Sequence, residues 1–535
     1  MNKIAKYLNQ HIAGNVYAND AATERFSTDK SILKIKPQMV ATPRNTDDVR
    51  KLVKFADQMA DKGVKVSITP RGGGHDKTGA AIGGSIVMAM GEQMNQILEI
   101  DVRQRLVRVQ PGVTIGVLNE ALGLYGMRVP LEMKCREHTI GGMIANGLSG
   151  EMATRYGRIE GYVHQMEVVL ASGEMIQVEK LSRREVNRKK GQEGLEGEIY
   201  RQLDTLIEDK ATAISDLIDE EDWDSVGYEA IRVVKGKDGS FDLTPLFFSS
   251  QGTLGVVSEV ILRAEYVEDK TEYVWAEFGS LEEARDAIDL ALKLDPMVLD
   301  MYEAGVFAVA AEFGKEMKLF EEKGFKAGVT LVIGFSGGRS VRGKVKKLVK
   351  ALKKMEGVRF VTTDDVEMDE MMAVRDVVSL YLNDTRGGVR VPVMDGVFVA
   401  ESFLGEYVSQ VRELEKKHGL EMPIFGSVLE GIYHVRPSFD LNQLKDRQRV
   451  FKVLAEYASL VHAVEGRMAG VGAEGRVRAL VVRKVMNEQM IEVNDQVKAI
   501  FDPKGVLNPG VKAGVELKEL VGNMRKDYLE GIVAE

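Results

Sequence analysis

The stretch RGGGHDKTGAAIGG, residues 71–84, puts unusual backbone freedom beside titratable side chains. Arg71 is followed by Gly72, Gly73 and Gly74, then by His75 and Asp76. Glycines cluster where φ must be positive or where another group must come close to the main chain. Successive amide N–H groups freed in this way make a concavity for anions, phosphate above all. A tight hairpin is the other use of such a triplet. The pattern is not a Walker loop, because no Gly-Lys-Ser/Thr follows. It is not the dinucleotide G-x-G-x-x-G either, because no helix can be placed with a ribose-binding acid about 20 residues on. A second small-residue stretch, TIGGMIANGLSG, opens at Thr139 and reads as another loop.

The elements that must carry these loops come next. PQMVATP reads as a strand. The run NTDDVRKLVKFADQMADKG reads as a helix, with Thr46 or Asp47 as cap and apolar residues every three to four positions. KVSIT alternates as a strand and delivers the chain into the glycine loop. GSIVMAM, QILEID and LVRVQPGV read as successive strands, TIGVLNEALGLYG as a helix ended by glycine, and HQMEVVLASGEMIQVE as a hairpin turned at Ser172 and Gly173. Residues 181–235 are charged and helical and read as an insertion, either a docking surface or a solvated face. From about residue 267, strands and helices alternate as in an α+β domain.

Composition bounds the function. The 535 residues are too many for one core, so two or three domains are expected. A net charge of -9 speaks against nucleic-acid binding, which needs a basic face. The single cysteine, Cys135, excludes a disulfide framework or a cysteine-built zinc cage and suits a reducing compartment. No stretch has the length of a signal peptide's apolar run, and none approaches the ~20 apolar residues of a transmembrane segment. The expected location is the cytoplasm, with a peripheral seat at the inner membrane face left open.

Five motifs in order, SITPRGGGHDKTGAA, VQPGVTIGVLNEAL, HTIGGMIANGLSGEMATRYGRI, VVLASGE and SSQGTLGVVSE, resemble the FAD-binding domain of the p-cresol methylhydroxylase and vanillyl-alcohol oxidase superfamily. The lead-in FSTDKS and VATPRNTDDVRKLVKFA resembles that domain's entry. The closing FDPKGVLNPG resembles the tail of the D-lactate dehydrogenase and glycolate oxidase D-subunit branch. The resemblance implies an α+β fold: a two-subdomain FAD-binding domain, a ferredoxin-like cap domain and a C-terminal segment that returns to the FAD domain. The expected bounds are 1–35 for an N-terminal helical segment, 36–266 for the FAD domain, 267–490 for the substrate domain and 491–535 for the returning segment. It implies FAD as cofactor, with Arg71, Gly72, Gly73, Gly74, His75, Asp76, Thr139, Gly142 and Asn146 around the pyrophosphate. Gly255 and Val256 match adenine- and ribose-side contacts, and Asn508 matches a near-flavin asparagine.

The histidine after the glycines is similar to that of the aldonolactone, alditol and berberine-bridge oxidases, where it is bonded to the flavin. His75 therefore has two readings: a covalent FAD tether, or a hydrogen-bond donor to phosphate that packs near the ring. Cys135 lies four residues before Thr139, whereas bicovalent relatives place their cysteine two before, so a plain buried thiol is expected.

The hydroxy-acid branch implies hydride transfer from a small anionic hydroxy acid, such as D-lactate, glycolate or D-2-hydroxyglutarate, to flavin N5. Its metal-binding motifs are degenerate here. Ser427 and Glu430 stand where that branch has histidine and aspartate, and Val471 and Gly472 where it has glutamate and the base histidine. Valine cannot ligate and glycine cannot take a proton, so no metal is expected there. His434 remains, as acid/base or as a structural histidine. Arg375 matches the branch's carboxylate-binding arginine, Arg386 falls where it has lysine, and Arg436, Arg476 and Arg478 are further cationic candidates. His138 is a candidate replacement base. Two alternatives stand beside this reading: a histidyl-flavin oxidase of sugar alcohols or lactones, and a flavin-binding subunit without turnover of its own. The electron acceptor is open among a quinone, an electron-transfer flavoprotein, a cytochrome and oxygen.

Overall fold

Short β-rich runs interrupted by glycine, and amphipathic helices between them, build two units. The computed structural model describes residues 3–131, 135–150, 153–215, 225–266, 271–307, 328–337, 340–364, 378, 381–382, 388–513 and 515–526. The first unit takes in residues 1–151, 156–266 and 469–524, and the second 152–155, 267–468 and 525–535.

In the first unit a four-stranded sheet runs Asn15–Tyr17, Met39–Thr42, Ile86–Ala89, Ile68–Arg71 in spatial order. Its last three strands are parallel, and its first is antiparallel to its neighbour. The first 35 residues are thus not only helical, since they supply this edge strand. The helix Thr46–Asp61 buries Val49, Leu52, Val53 and Ala56 in the core of that sheet. Its cap is Asn45, one residue before the expected positions, and its side chain accepts from Asp48 N at 3.0 Å. Asp48 is spent elsewhere: its carboxylate accepts from Ala13 N, Gly14 N and Arg44 N at 2.7–2.9 Å, tying the N-terminal segment down.

A five-stranded antiparallel sheet completes the unit, ordered Ile97–Asp101, Leu106–Val109, Val256–Arg263, Val163–Val169, Met175–Val178. Its core includes Ile199, Tyr200, Leu203 and Leu206 from the helix Leu195–Asp209, together with Met490, Val493 and Val497 from the helix Glu488–Phe501. The charged stretch 181–235 is therefore no solvated appendage. In the helix Leu195–Asp209 no charged position is buried, and Ile199, Leu203 and Leu206, spaced three and four apart, join the common core.

The second unit is a seven-stranded antiparallel sheet, ordered Arg359–Thr362, Thr271–Phe278, Val329–Ser336, Val298–Glu303, Ile424–Ser427, Ile432–Val435, Met394–Phe398. Helices Leu281–Lys293 and Val341–Leu352 pack on its Thr271–Phe278 side, and Leu444–Ala463 packs near Met394–Phe398. The chain rejoins the first unit at Ala469, ahead of the expected 491. Among the described residues no helix is long and apolar enough to cross a membrane.

Candidate functional site

The glycine loop leaves the C-terminal end of Ile68–Arg71, which lies parallel to Ile86–Ala89. The carboxyl ends of parallel strands are where open sheets present ligands. Arg71 turns back beneath the loop, donating from Nη1 to Thr28 O at 2.7 Å and to Ala81 O at 3.4 Å. Burial pulls its guanidinium below the ordinary value. Asp76 also faces inward and accepts from Ala80 N at 2.7 Å, Thr78 N at 2.9 Å and Thr78 Oγ1 at 3.0 Å. Both side chains are thus positioning residues that shape the loop. Asp29, fully buried, sits beside Asp76. Burial first, then the Asp76 charge, push its carboxyl up to about 7.

TIGGMIAN, expected as a loop, is the helix Ile140–Asn146. Thr139 caps it, its Oγ1 accepting from Gly142 N at 3.3 Å. The same hydroxyl meets the glycine loop: a Cβ built on Gly72 would fall 2.1 Å from Thr139 Oγ1. Only glycine lets the two stretches press together. At the helix end Asn146 Oδ1 accepts from Gln251 Nε2 at 2.9 Å, and Gln251 Nε2 also donates to Thr78 Oγ1 at 3.1 Å. Gln251 Oε1 in turn accepts from Gly475 N at 2.9 Å. This glutamine, unremarked within the SSQGTLGV motif, ties three loops to one another.

Asn508 is a fourth tie. It is fully buried with φ +42° and donates from Nδ2 to Ala80 O and Gln251 O, while its Oδ1 accepts from Thr69 Oγ1 at 3.1 Å. Arg476, a substrate-cation candidate, is another: its guanidinium donates to Gly79 O at 2.9 Å, Ile82 O at 3.0 Å and Pro509 O at 2.6 Å. Its role is to hold loops, and its charge is committed to carbonyls. Arg478 is buried. Val256 packs in the core of the parallel sheet, and a Cβ on Gly255 would fall 2.5 Å from Val168 Cγ1.

A cavity of about 620 Å³ opens in the same unit, lined by Glu160, Val163, Tyr228, Phe248 and Ser249 among others. Cofactor pockets fall in that size range. Ser249 Oγ and both carboxyl oxygens of Glu160 are buried without a partner. Burial pushes the Glu160 carboxyl above the ordinary carboxylate value. Ser249 also marks where the cavity meets the helix, because a Cβ on Gly147 would fall 2.0 Å from Ser249 Oγ. The close approach of Gly72 to Thr139 makes a cradle that fits a phosphate-bearing cofactor such as FAD, and the orphaned polar groups of the cavity fit a polar ligand.

At the loop edge, His75 and His138 lie with ring centroids 5.1 Å apart. Cys135 is half-buried rather than buried, its Sγ 4.0 Å from His75 Nε2, and His75 pulls its thiol below the ordinary value. Burial lowers His138, which favours neutral imidazole.

In the second unit, His434 stands on Ile432–Val435, cross-strand from Asp395 and Phe425, and stacks on Phe425 at 5.1 Å. Its Nδ1 accepts from Gly396 N at 3.1 Å, which assigns the neutral ring's proton to Nε2. Arg436 makes a buried forked pair with Asp395, with Nε 2.9 Å from both carboxylate oxygens. Arg390, not singled out from sequence, lies 4.1 Å over the Tyr381 ring, and Tyr381 donates to Arg436 O at 3.2 Å. Arg375 and Arg386 lie outside the described residues.

Two family models match the chain: an FAD binding domain over residues 37–179, and an FAD linked oxidases C-terminal domain over residues 268–511. The chain is 26% identical to a D-2-hydroxyglutarate dehydrogenase of Haemophilus influenzae over 97% of its own length and 52% of that protein's. It is 25% identical to the glycolate oxidase subunit GlcD of Bacillus subtilis, covering 89% of this chain and 88% of the other. It is 23% identical to a D-lactate dehydrogenase of Archaeoglobus fulgidus, covering 88% and 90%. The chain spans about half the length of the D-2-hydroxyglutarate dehydrogenases it matches. In fold it is similar to p-cresol methylhydroxylase, with TM-score 0.69, 14% identity and 97% of each chain covered. It is also similar to 4-ethylphenol oxidase from Gulosibacter chungangensis, with TM-score 0.68, 16% identity and coverage of 95% and 96%.

Proposed function

Because this chain joins an FAD binding domain to the C-terminal domain of FAD linked oxidases, we propose that it is an FAD-dependent dehydrogenase of small hydroxy acids. Relatives named for D-2-hydroxyglutarate, glycolate and D-lactate support that class. The observation that carries it is the buried polar cluster of the second unit, where Arg436 pairs with Asp395 opposite His434, and Arg390 lies over the ring of Tyr381, whose hydroxyl reaches the Arg436 carbonyl. Arginine in such a setting suits a planar carboxylate.

Gly72 to His75, Thr139, Gly142 and Asn146 would hold the FAD diphosphate, with Ser249 and Glu160 offering partners along the cavity. FAD, when bound, supplies the two-electron acceptor for oxidation of an alcohol to a carbonyl. The chain's own residues bind and orient. Asp395 neutralises Arg436, and Arg390 is the candidate to take the substrate carboxylate, beside Arg375 and Arg386 as the candidates from sequence. His434, with its Nδ1 lone pair held by Gly396, acts as a hydrogen-bond donor from Nε2 to a substrate oxygen, and its role as base is set aside. His138, neutral through burial, is the imidazole better suited to accept a proton.

The test is anaerobic mixing of purified flavoprotein with D-lactate, glycolate and D-2-hydroxyglutarate. Loss of the ~450 nm flavin band with one of them supports the proposal. A bound flavin that none of them bleaches removes it and leaves an oxidase of sugar alcohols or lactones, or a flavin-binding subunit without turnover.

A further inference from the structure

We propose that the lysine face of the helix Val341–Leu352 is a docking surface for a bilayer rich in anionic lipid. This goes beyond the oxidoreductase reading and does not rest on it. Residues 341–354 hold no acidic side chain, in a chain whose net charge is -9. The helix buries Val341, Val345, Leu348 and Leu352, and its Lys344 lies 5.9 Å over the Phe335 ring of the strand Val329–Ser336. Its other side carries the remaining cations. Arg342, Lys346, Lys347, Lys350, Lys353 and Lys354 are all exposed. Arg342 has a partner in Glu272 at 3.4 Å. Lys346, Lys347, Lys350, Lys353 and Lys354 have no ion pair among the described residues. Arg359, exposed on the edge strand Arg359–Thr362 that follows, extends the same charge.

Like charges three and four positions apart on a helix repel one another, so a row of unneutralised lysines destabilises it. A polyanion laid along the row offsets that cost. The row has the composition for a lipid leaflet rather than for a protein partner. Protein interfaces centre on aromatic residues, Met and Arg, and are poor in lysine. Residues 341–354 contain neither an aromatic residue nor methionine. Nucleic-acid surfaces add stacking aromatics and base-reading side chains, which this helix also lacks. About four to eight Lys and Arg on an amphipathic helix are the footprint of anionic headgroups. The apolar side is spent inside the unit, so the contact is with headgroups and nothing inserts. The helix Leu281–Lys293, packed beside this one, exposes Glu282, Glu283, Asp286 and Asp289. An anionic leaflet attracts the first helix and repels the second, which fixes one orientation of the unit on the surface. Each lysine near such a leaflet tightens binding about fivefold. The attraction reaches about 10 Å at 0.1 M salt and about 3 Å at 1 M.

The purified full-length protein is sedimented with vesicles of phosphatidylcholine alone, or of phosphatidylcholine with phosphatidylglycerol, at about 0.1 M salt. We expect binding to the phosphatidylglycerol vesicles only, with release at about 1 M salt. The variant Lys346→Glu, Lys350→Glu, Lys353→Glu should bind about a hundredfold more weakly, or worse. The same positions changed to Arg should bind as wild type does. All three side chains are exposed, so the Tm should match across the set. Equal sedimentation of wild type with both vesicle types, sedimentation with neither, or undiminished binding by a folded Glu variant overturns the proposal. So does tighter binding of wild type to duplex DNA than to the vesicles in the same buffer, which would make the row a nucleic-acid surface.

Discussion

Asn508 Nδ2 donates to the Ala80 carbonyl at 2.9 Å across 428 positions of sequence. With its bonds to Gln251 O and Thr69 Oγ1, it closes the back of the glycine loop. Asn508→Ala strands buried carbonyls and keeps a left-handed backbone without the asparagine that tolerates it. We expect a loss of roughly 3 kcal/mol in unfolding free energy and a drop in bound FAD. Denaturant titration and flavin-to-protein absorbance read the two effects. Unchanged values for both would contradict the role given to this side chain.

Gly72→Ala places a methyl against Thr139 Oγ1. The loop and the helix must part, so FAD affinity should fall about tenfold or more, or roughly 1.4 kcal/mol and upward. The double variant Gly72→Ala, Thr139→Ala removes the clash and should recover most of the loss. Fluorescence titration of the deflavinated protein with FAD measures each step.

Asp395→Ala leaves the Arg436 guanidinium buried without its forked partner. We expect about 3–5 kcal/mol of destabilisation. Replacing both, Asp395→Leu with Arg436→Met, should restore stability to within about 1–2 kcal/mol of wild type. Activity should not return in full, because His434 loses the polar neighbour that positions it.

Asp29 carries the pH signature of the loop. Its folded carboxyl is pushed up from 3.8 to about 7, by burial and then by Asp76. Between about pH 4 and 7 the folded state keeps a proton that the unfolded chain has released, so stability falls as pH rises through that window. Asp29→Asn removes the penalty. Its Tm against pH should be flatter over that range, and at pH 8 its Tm should equal or exceed that of wild type. A steeper decline in the variant would refute the assignment.

His434→Gln keeps a donor near the Nε2 position, whereas His434→Ala does not. If His434 orients the substrate by donation, Gln should retain more kcat/KM than Ala, by about tenfold, and the low-pH limb of the profile should persist in both. Disappearance of that limb in His434→Gln would restore the histidine as base.

The glycine loop was legible because three consecutive glycines after a strand have few uses, and its neighbours are equally constrained. The helix Ile140–Asn146 was hidden by Gly141 and Gly142, which are poor helix formers. Its signal was present nonetheless in Thr139 as cap and in Ile140, Met143 and Ile144 at helical spacing, all buried. The helical reading of the charged stretch holds in Leu195–Asp209, and Ile199, Leu203 and Leu206 mark the inward face that its charges hide. What no local pattern carries is the pairing of distant polar groups. Asn508 and Arg476 stand out in the sequence as flavin-side and substrate-side candidates and Gln251 not at all, and only the fold brings the carbonyls and loops that they brace. Asp395 gains its meaning from a strand register that sets it opposite His434.

Arg476 and Asn508 brace loops that are synthesised long before them. At about 5–20 residues per second, those 428 positions take a ribosome roughly 20–90 s to add. Through that interval the glycine turn waits without its braces, so flavin loading follows the synthesis of Asn508 rather than that of the glycine turn itself.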